Sequence, residues 1–173
     1  MRPRHQISFR WPNPPFNIVL VEPEIPQNTG NIARLCAATG TVLNLIEPLG
    51  FRLTDREVKR AGLDYWDAVE IRRFQNLEKF ESDFSKHRKI FFSTSGHRNY
   101  TEAEYRPGDC LIFGSESRGL PLELLESHPD DVFNIPMKLE NVRSLNLANA
   151  ASIVLYEALR QSQGFACTET TKR

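Results

Sequence analysis

Cysteine is scarce in this chain. Cys36, Cys110 and Cys167 are the only three in 173 residues, no two of them form a C-x-x-C pair, and the four histidines lie scattered. No zinc-ligand spacing emerges from that set, so the chain reads as intracellular and free of structural metal. Long apolar runs are missing as well. Nothing approaches the roughly 20 residues that span a bilayer, and residues 1–16, MRPRHQISFRWPNPPF, lack the continuous apolar stretch of a secretory signal. A cytoplasmic protein without membrane contact is expected. Net charge is absent: 22 Lys+Arg balance 22 Asp+Glu, which argues against a surface that traps nucleic acid over its whole area. Neither G-x-x-x-x-G-K-[ST] nor G-x-G-x-x-G occurs, so these two ways of cradling phosphates are disfavoured.

What is present is a series of short apolar runs: NIVLV (17–21), VLNLI (42–46), VEIRRF (69–74), KIFFST (89–94), CLIFG (110–114) and VFNIPM (132–137). Most lack strict alternation, as expected of strands buried on both faces. Helical signals fall between them, at 28–39 closed by Gly40, 54–61 closed by Gly62, 76–84, 120–127 and 146–161. The alternation predicts one α/β domain over residues 17–165, with a mainly parallel sheet of about six strands flanked by helices. Residues 1–16 are read as a flexible extension and 166–173 as a frayed tail. Basic residues gather at Arg52, Arg56, Lys59 and Arg60, at Arg72 and Arg73, and in KHRK at 86–89. By default these are solvated helix faces.

Parallel α/β sheets bind ligands beyond the carboxyl ends of their strands, so the residues after each apolar run are the informative ones. After the first run comes EPEIPQNTGN, where Pro23 and Pro26 keep the chain extended and Asn28 or Thr29 can cap a helix. Arg34 then falls in an early turn, where a cation opposes the helix dipole; it is either an exposed arginine of no consequence or a guanidinium held over a pocket to bind phosphate or an oxyanion, and the unfavourable position leans toward the second. After the fifth run comes GSESRGLP, whose Gly114 and Gly119 permit a sharp turn and close backbone approach. After the sixth comes IPMKLENVRSLN, which leads into a helix with Leu147, Ala150, Ala151, Val154, Leu155 and Ala158 on one face. Capping needs only one of Ser144 or Asn146, so this helix start carries more polar groups than its local structure requires.

Together the three stretches resemble the SPOUT class of methyltransferases, and within it the small TrmL/YibK-type tRNA 2'-O-methyltransferases. NIVLVEPEIPQNTGNIARLCAATG is similar to that family's first motif, LIFGSESRGLP to its second, and NIPM with RSLNLANAASIVLYEALRQ to its third. FRLTDREVKRAGLDYW also has the family's look, and the resemblance covers residues 17–164. It implies a C-terminal deep trefoil knot, S-adenosyl-L-methionine as cofactor, no metal, and a homodimer formed through the knot and the C-terminal helix. The implied reaction is methylation of the ribose 2'-hydroxyl of the wobble nucleotide, C or U at position 34 in the anticodon loop, with tRNA-Leu the typical substrate.

By motif position the resemblance assigns cofactor binding to Phe92, Ser93 and Thr94, to Gly114, Glu116 and Gly119, to Ile135 and Met137, and to Ser144, Leu145 and Asn146. It assigns catalysis to Arg34, Ser144 and Asn146, and RNA binding to Asn28, Asn31, Arg34 and Arg118. A guanidinium essentially never deprotonates in a protein, so Arg34 is better cast as a phosphate and hydroxyl positioner than as a base. The base stays unassigned. Ser115-Glu116-Ser117-Arg118-Gly119 departs from the Asn-Glu-Gly form of rRNA-methylating relatives, which favours the tRNA branch. Residues 1–16 exceed the family's minimal length, as an RNA-binding arm or a disordered tail. Alternatives are an RNA-binding or assembly module on the same fold without catalysis, a 2'-O-methyltransferase of another RNA site, or a nucleotide hydrolase, which lacks its phosphate loop. In the favoured reading one residue caps the last helix while Ser144 and Asn146 face the cofactor.

Overall fold

Residues 8–52, 68–138 and 140–163 are described by a computed structural model. The expected helix at 54–61, its closing Gly62, and Arg56, Lys59, Arg60 and Cys167 lie outside them.

Seven strands form one sheet in the order β3-β2-β1-β6-β4-β7-β5, and every ladder is parallel. They are β1 (Asn17–Val21), β2 (Val42–Ile46), β3 (Ile71–Phe74), β4 (Lys89–Phe92), β5 (Arg98–Asn99), β6 (Cys110–Phe113) and β7 (Val132–Asn134). The one strand beyond the expected six is β5, a two-residue edge too short to show any period. β1, β2 and β6 are buried at every residue, as their continuous apolar composition requires. The fourth and sixth runs stop earlier than their composition suggests, at Phe92 and Asn134, because the chain leaves the sheet there to build the site.

The α-helices among the described residues are α1 (Pro26–Thr39), α2 (Leu77–Asp83), α3 (Leu122–Ser127) and α4 (Leu147–Ser162). α1 ends on Gly40 at φ 68°, whose N–H bonds Cys36 O, and α2 is capped by Asn76, which accepts from Lys79 N at 2.9 Å. One face of the sheet packs Ile18, Leu20, Leu43 and Leu111 against α1 and α4 through Ile32, Ala151, Val154 and Leu155. The other packs Val19, Phe91 and Ile112 with Phe74, Phe80 and Phe84. Each large side chain buried in this way contributes about 1.5–3 kcal/mol. Phe80 and Phe84 stack at 4.7 Å, and Phe74 meets Phe80 edge-on at 5.3 Å.

The described part of the N-terminal segment is tied to this core at two points. Phe16 is fully buried and its carbonyl accepts from Val42 N. Further out, the Arg10 N–H donates to Gln163 Oε1 at 3.2 Å and its carbonyl accepts from Gln163 Nε2.

Candidate active site

The three loops singled out in the sequence meet at the carboxyl ends of β1, β6 and β7, where they enclose a cavity of about 770 Å³. Loop one begins with Glu22 at φ 49°, a left-handed conformation that turns the chain off the strand end. α1 then starts at Pro26, two residues earlier than expected, with Ile25 as N-cap and no side-chain cap. Asn28 and Thr29 are therefore not caps; both are buried inside the first turns.

What holds the start of α1 comes from loop two. The Glu116 carboxylate accepts from Glu24 N at 2.8 Å, Ile25 N at 3.3 Å and Asn28 Nδ2 at 2.8 Å. An anion beside a helix N-terminus is electrostatically favoured. The exchange is mutual, since Glu24 accepts from Ser117 N at 3.0 Å and Ser117 Oγ at 2.6 Å. Arg118 adds an exposed ion pair to Glu22 at 2.7 Å.

Loop two is tight. Gly119 N donates to Ser115 O at 2.9 Å and Gly119 sits at φ 71°. A Cβ on Gly114 would lie 2.0 Å from Gly119 C and 2.2 Å from Leu120 N, so only glycine fits beneath that crossing. Gly96, after β4, is confined in the same way by the backbone of Phe133.

Loop three runs from β7 to α4. Asn146, expected to face a cofactor, is the N-cap of α4: its Oδ1 accepts from Ala148 N at 2.9 Å and Asn149 N at 3.3 Å. Its Nδ2 donates to Asn28 Oδ1 at 2.9 Å. The helix thereby sets the direction of a whole chain of bonds. Because Oδ1 of Asn146 must face helix N–H groups, its amide must donate to Asn28, and Asn28 must in turn donate to Glu116. Three sequence-remote loops are joined by that one relay.

Each of the eleven positions assigned to a cofactor lines the cavity, as do Asn28 and Arg118. Arg34 and Asn31 do not; both are exposed on α1, and Arg34 lies in the middle of the fourteen-residue helix, so the dipole argument for it lapses. Glu24 and Ser117 went unassigned in the sequence. Their only signal was an acid held between Pro23 and Pro26 with no local partner. Arg143 lines the cavity beside Ser144.

Glu116 is the one acid among the described lining residues, and each of its oxygens already accepts a hydrogen bond. The walls are apolar where Phe92, Phe113, Leu120 and Leu147 are buried. Neither described cysteine lines the cavity. Burial pushes the Cys36 thiol far above its ordinary range and that of Cys110 up to about 12, so neither supplies a thiolate near neutral pH. Three arginines of the basic clusters are engaged internally: Arg72 pairs with Glu70 at 2.6 Å, Arg73 with Glu47, Arg88 with Asp109 at 3.4 Å. Among the described residues no group of three or more His, Cys, Asp or Glu could hold a metal, and no helix is long and apolar enough to cross a membrane.

Fold and site together define an α/β protein whose ligand cavity is built from loops at the carboxyl ends of parallel strands. The model of the SpoU rRNA methylase family matches residues 15–156, and the chain belongs to that family. A tRNA (cytidine(34)-2'-O)-methyltransferase of Aeromonas hydrophila is 50% identical over 147 residues, covering 84% of this chain and 94% of its own. One of the same name from Saccharophagus degradans is 52% identical over 152 residues, 87% of this chain and 97% of its own. A solved structure described as giving insights into the 2-OH methylation of C/U34 on tRNA superposes with a TM-score of 0.80 at 48% identity, covering 84% of this chain and 95% of that one. An AdoMet-bound rRNA methyltransferase from Sinorhizobium meliloti gives a TM-score of 0.74 at 27% identity, with 84% and 56% covered.

Proposed function

We propose that the chain is an S-adenosylmethionine-dependent tRNA methyltransferase acting on the ribose 2'-hydroxyl of nucleotide 34, C or U, and working in the cytoplasm as a homodimer. The observation that carries the reading is the gathering of three motif loops around one cavity, in a chain half identical to relatives named for that reaction. The cavity suits the cofactor. Its volume is that of a small-molecule site, its walls offer buried aromatic and aliphatic surface for an adenine, and Glu116, the one acid among the described lining residues, already accepts hydrogen bonds at both oxygens. Phe92, Gly114, Ile135, Met137 and Leu145 would hold the cofactor, with Ser93, Thr94 and Ser144 offering hydroxyls.

When bound, S-adenosylmethionine would supply an activated methyl for transfer from its sulfur to the ribose 2'-oxygen, with the sulfur released as a thioether and the hydroxyl proton taken by a base. The protein's own share is alignment and proton removal. Asn146 serves as a positioning residue, because both ends of its amide are engaged in the cap and in Asn28. Arg34, exposed outside the cavity lining, fits the RNA side of the reaction, as a fork for phosphate or hydroxyl. Arg34→Lys should lower turnover severalfold with cofactor affinity unchanged; full turnover would remove the bidentate role. For the dimer, α4 offers an outward face with Ile153 37% and Tyr156 57% exposed. Sedimentation of Tyr156→Asp tests it, and an experimental trace through residues 135–147 tests the knot. Cell fractionation tests the location.

The decisive assay is incubation with methyl-labelled S-adenosylmethionine and total tRNA, followed by mapping of the methylated ribose. Label at nucleotide 34 is expected. Cofactor binding without transfer would instead favour an RNA-binding module, and label elsewhere another RNA site.

A further inference from the structure

We propose that Glu24 and Ser117 are positioning residues for the methyl-transfer site. With Glu116 they form a reciprocal latch that fixes the 114–120 loop against the start of α1 and so orders the cavity wall before the cofactor arrives. The inference rests on the function proposed above and deepens it.

Each carboxylate of the latch accepts backbone N–H groups from the other's loop, Glu116 from Glu24 and Ile25, Glu24 from Ser117. Neither loop needs the Glu24 arm to keep its own shape. The 114–120 turn is closed internally by Gly119 N to Ser115 O at 2.9 Å and Arg118 N to Ser115 Oγ at 3.3 Å, and α1 is opened by Pro26. Nor is the pair core packing, since Ser117 is exposed and Glu24 only half-buried. Ser115 to Leu120, however, all line the cavity. The Glu24–Ser117 arm, which spans 93 positions and is needed by neither helix nor core, has one remaining consequence, which is to restrict the wall of the site. Ordering a wall in advance removes a cost that the ligand would otherwise meet on binding.

The two carboxylates tolerate different changes. Ser117 Oγ can donate or accept, so a glutamine at position 24 can accept from Ser117 N with its oxygen and donate to Oγ with its nitrogen. Every partner of Glu116 is a donor, two backbone N–H groups and the Asn28 amide whose direction α4 dictates, so a glutamine there must oppose donor to donor.

The test measures S-adenosylmethionine affinity by calorimetry, steady-state kinetics with tRNA, and hydrogen exchange at the Ser117 amide in the full chain. Glu24→Ala should weaken cofactor binding about tenfold and speed Ser117 exchange, while kcat at saturating cofactor and the KM for tRNA stay put. Glu24→Gln should remain within about twofold of the parent, which separates the bonds from the charge, whereas Glu116→Gln should weaken binding at least as much as Glu24→Ala. Unchanged affinity and exchange in Glu24→Ala overturn the latch. So does a uniform loss of every parameter that glutamine fails to rescue, the pattern of a merely structural residue. If the parent binds no S-adenosylmethionine, exchange at Ser117 still decides the latch, and the proposed function fails separately.

Discussion

Replacing Asn146 by aspartate isolates the relay from the helix cap. The new carboxylate still accepts from Ala148 N and Asn149 N, so the cap, worth about 1 kcal/mol, survives. An anion at the N-terminus of α4 returns about 0.3–1 kcal/mol. What disappears is the donor to Asn28 Oδ1, at a residue only 5% exposed. Leaving that oxygen unpaired costs about 1–3 kcal/mol. Rotating the Asn28 amide moves the conflict without removing it, because its oxygen would then face the Glu116 carboxylate. The balance is a loss of about 1–2 kcal/mol, and at about 2–4 °C per kcal/mol for a chain of this size the melting temperature should fall by about 2–8 °C. Asn146→Ala forfeits the cap too and should fall further. pH supplies an internal check. Once protonated, the introduced carboxyl can donate to Asn28, so the deficit is full while the carboxyl is ionised and should shrink as acid protonates it. Thermal unfolding of the three proteins across pH, with cofactor affinity measured alongside, reads all of this. Asn146→Asp matching the parent at neutral pH in both stability and affinity would refute the directed relay, as would Asn146→Ala melting no lower than Asn146→Asp.

Gly114 and Gly119 should respond differently to alanine. At Gly114 the new Cβ meets backbone at 2.0 Å, which no rotamer can relieve, so about 3 kcal/mol of stability and most cofactor binding should be lost; Gly119→Ala meets nothing within 4 Å and bears only its φ of 71°, about 1–2 kcal/mol. Urea unfolding with ligand titration separates the two. Burial raises the Asp109 pKa, an effect that its bond from Arg106 N and the nearby Arg88 only partly offset. Its contribution is therefore present at acid pH and is lost as pH rises through the folded value, so the stability of the parent relative to Asp109→Asn should decline across the window just above the ordinary carboxylate range and level off beyond it. Urea midpoints at a series of pH values check this, and a flat difference would refute it. The N-terminal segment carries Arg2, Arg4 and Arg10 and no acid before Glu22. If it touches RNA phosphates, a chain starting at residue 15, which keeps the buried Phe16, should show a tRNA affinity whose log–log salt slope is shallower by about 0.7–0.9 for each contact removed; an unchanged slope excludes the arm.

The strands were legible because burial on both faces leaves a local mark, an apolar run such as NIVLV or CLIF, and the three loops were legible because ligands of parallel sheets gather after such runs. Helix starts were read less well, for a physical reason. Asn28 carries the chemistry of a cap and stands where a cap belongs, but its amide bonds partners 88 and 118 positions away, so a rule about neighbouring N–H groups assigned it a task that Glu116 performs. Asn146 was legible in part. It was read as a candidate cap and as a cofactor contact; the one amide makes the cap, lines the cavity and also bonds a distant loop, which no local rule could display. Glu24 and Ser117 left only a faint mark, an acid between two prolines with no neighbour to satisfy it, because each is completed only when β1 and β6 lie side by side. A polar residue with no neighbour to satisfy it thus signals that its partner lies across the fold, and the sheet order decides which loop supplies that partner.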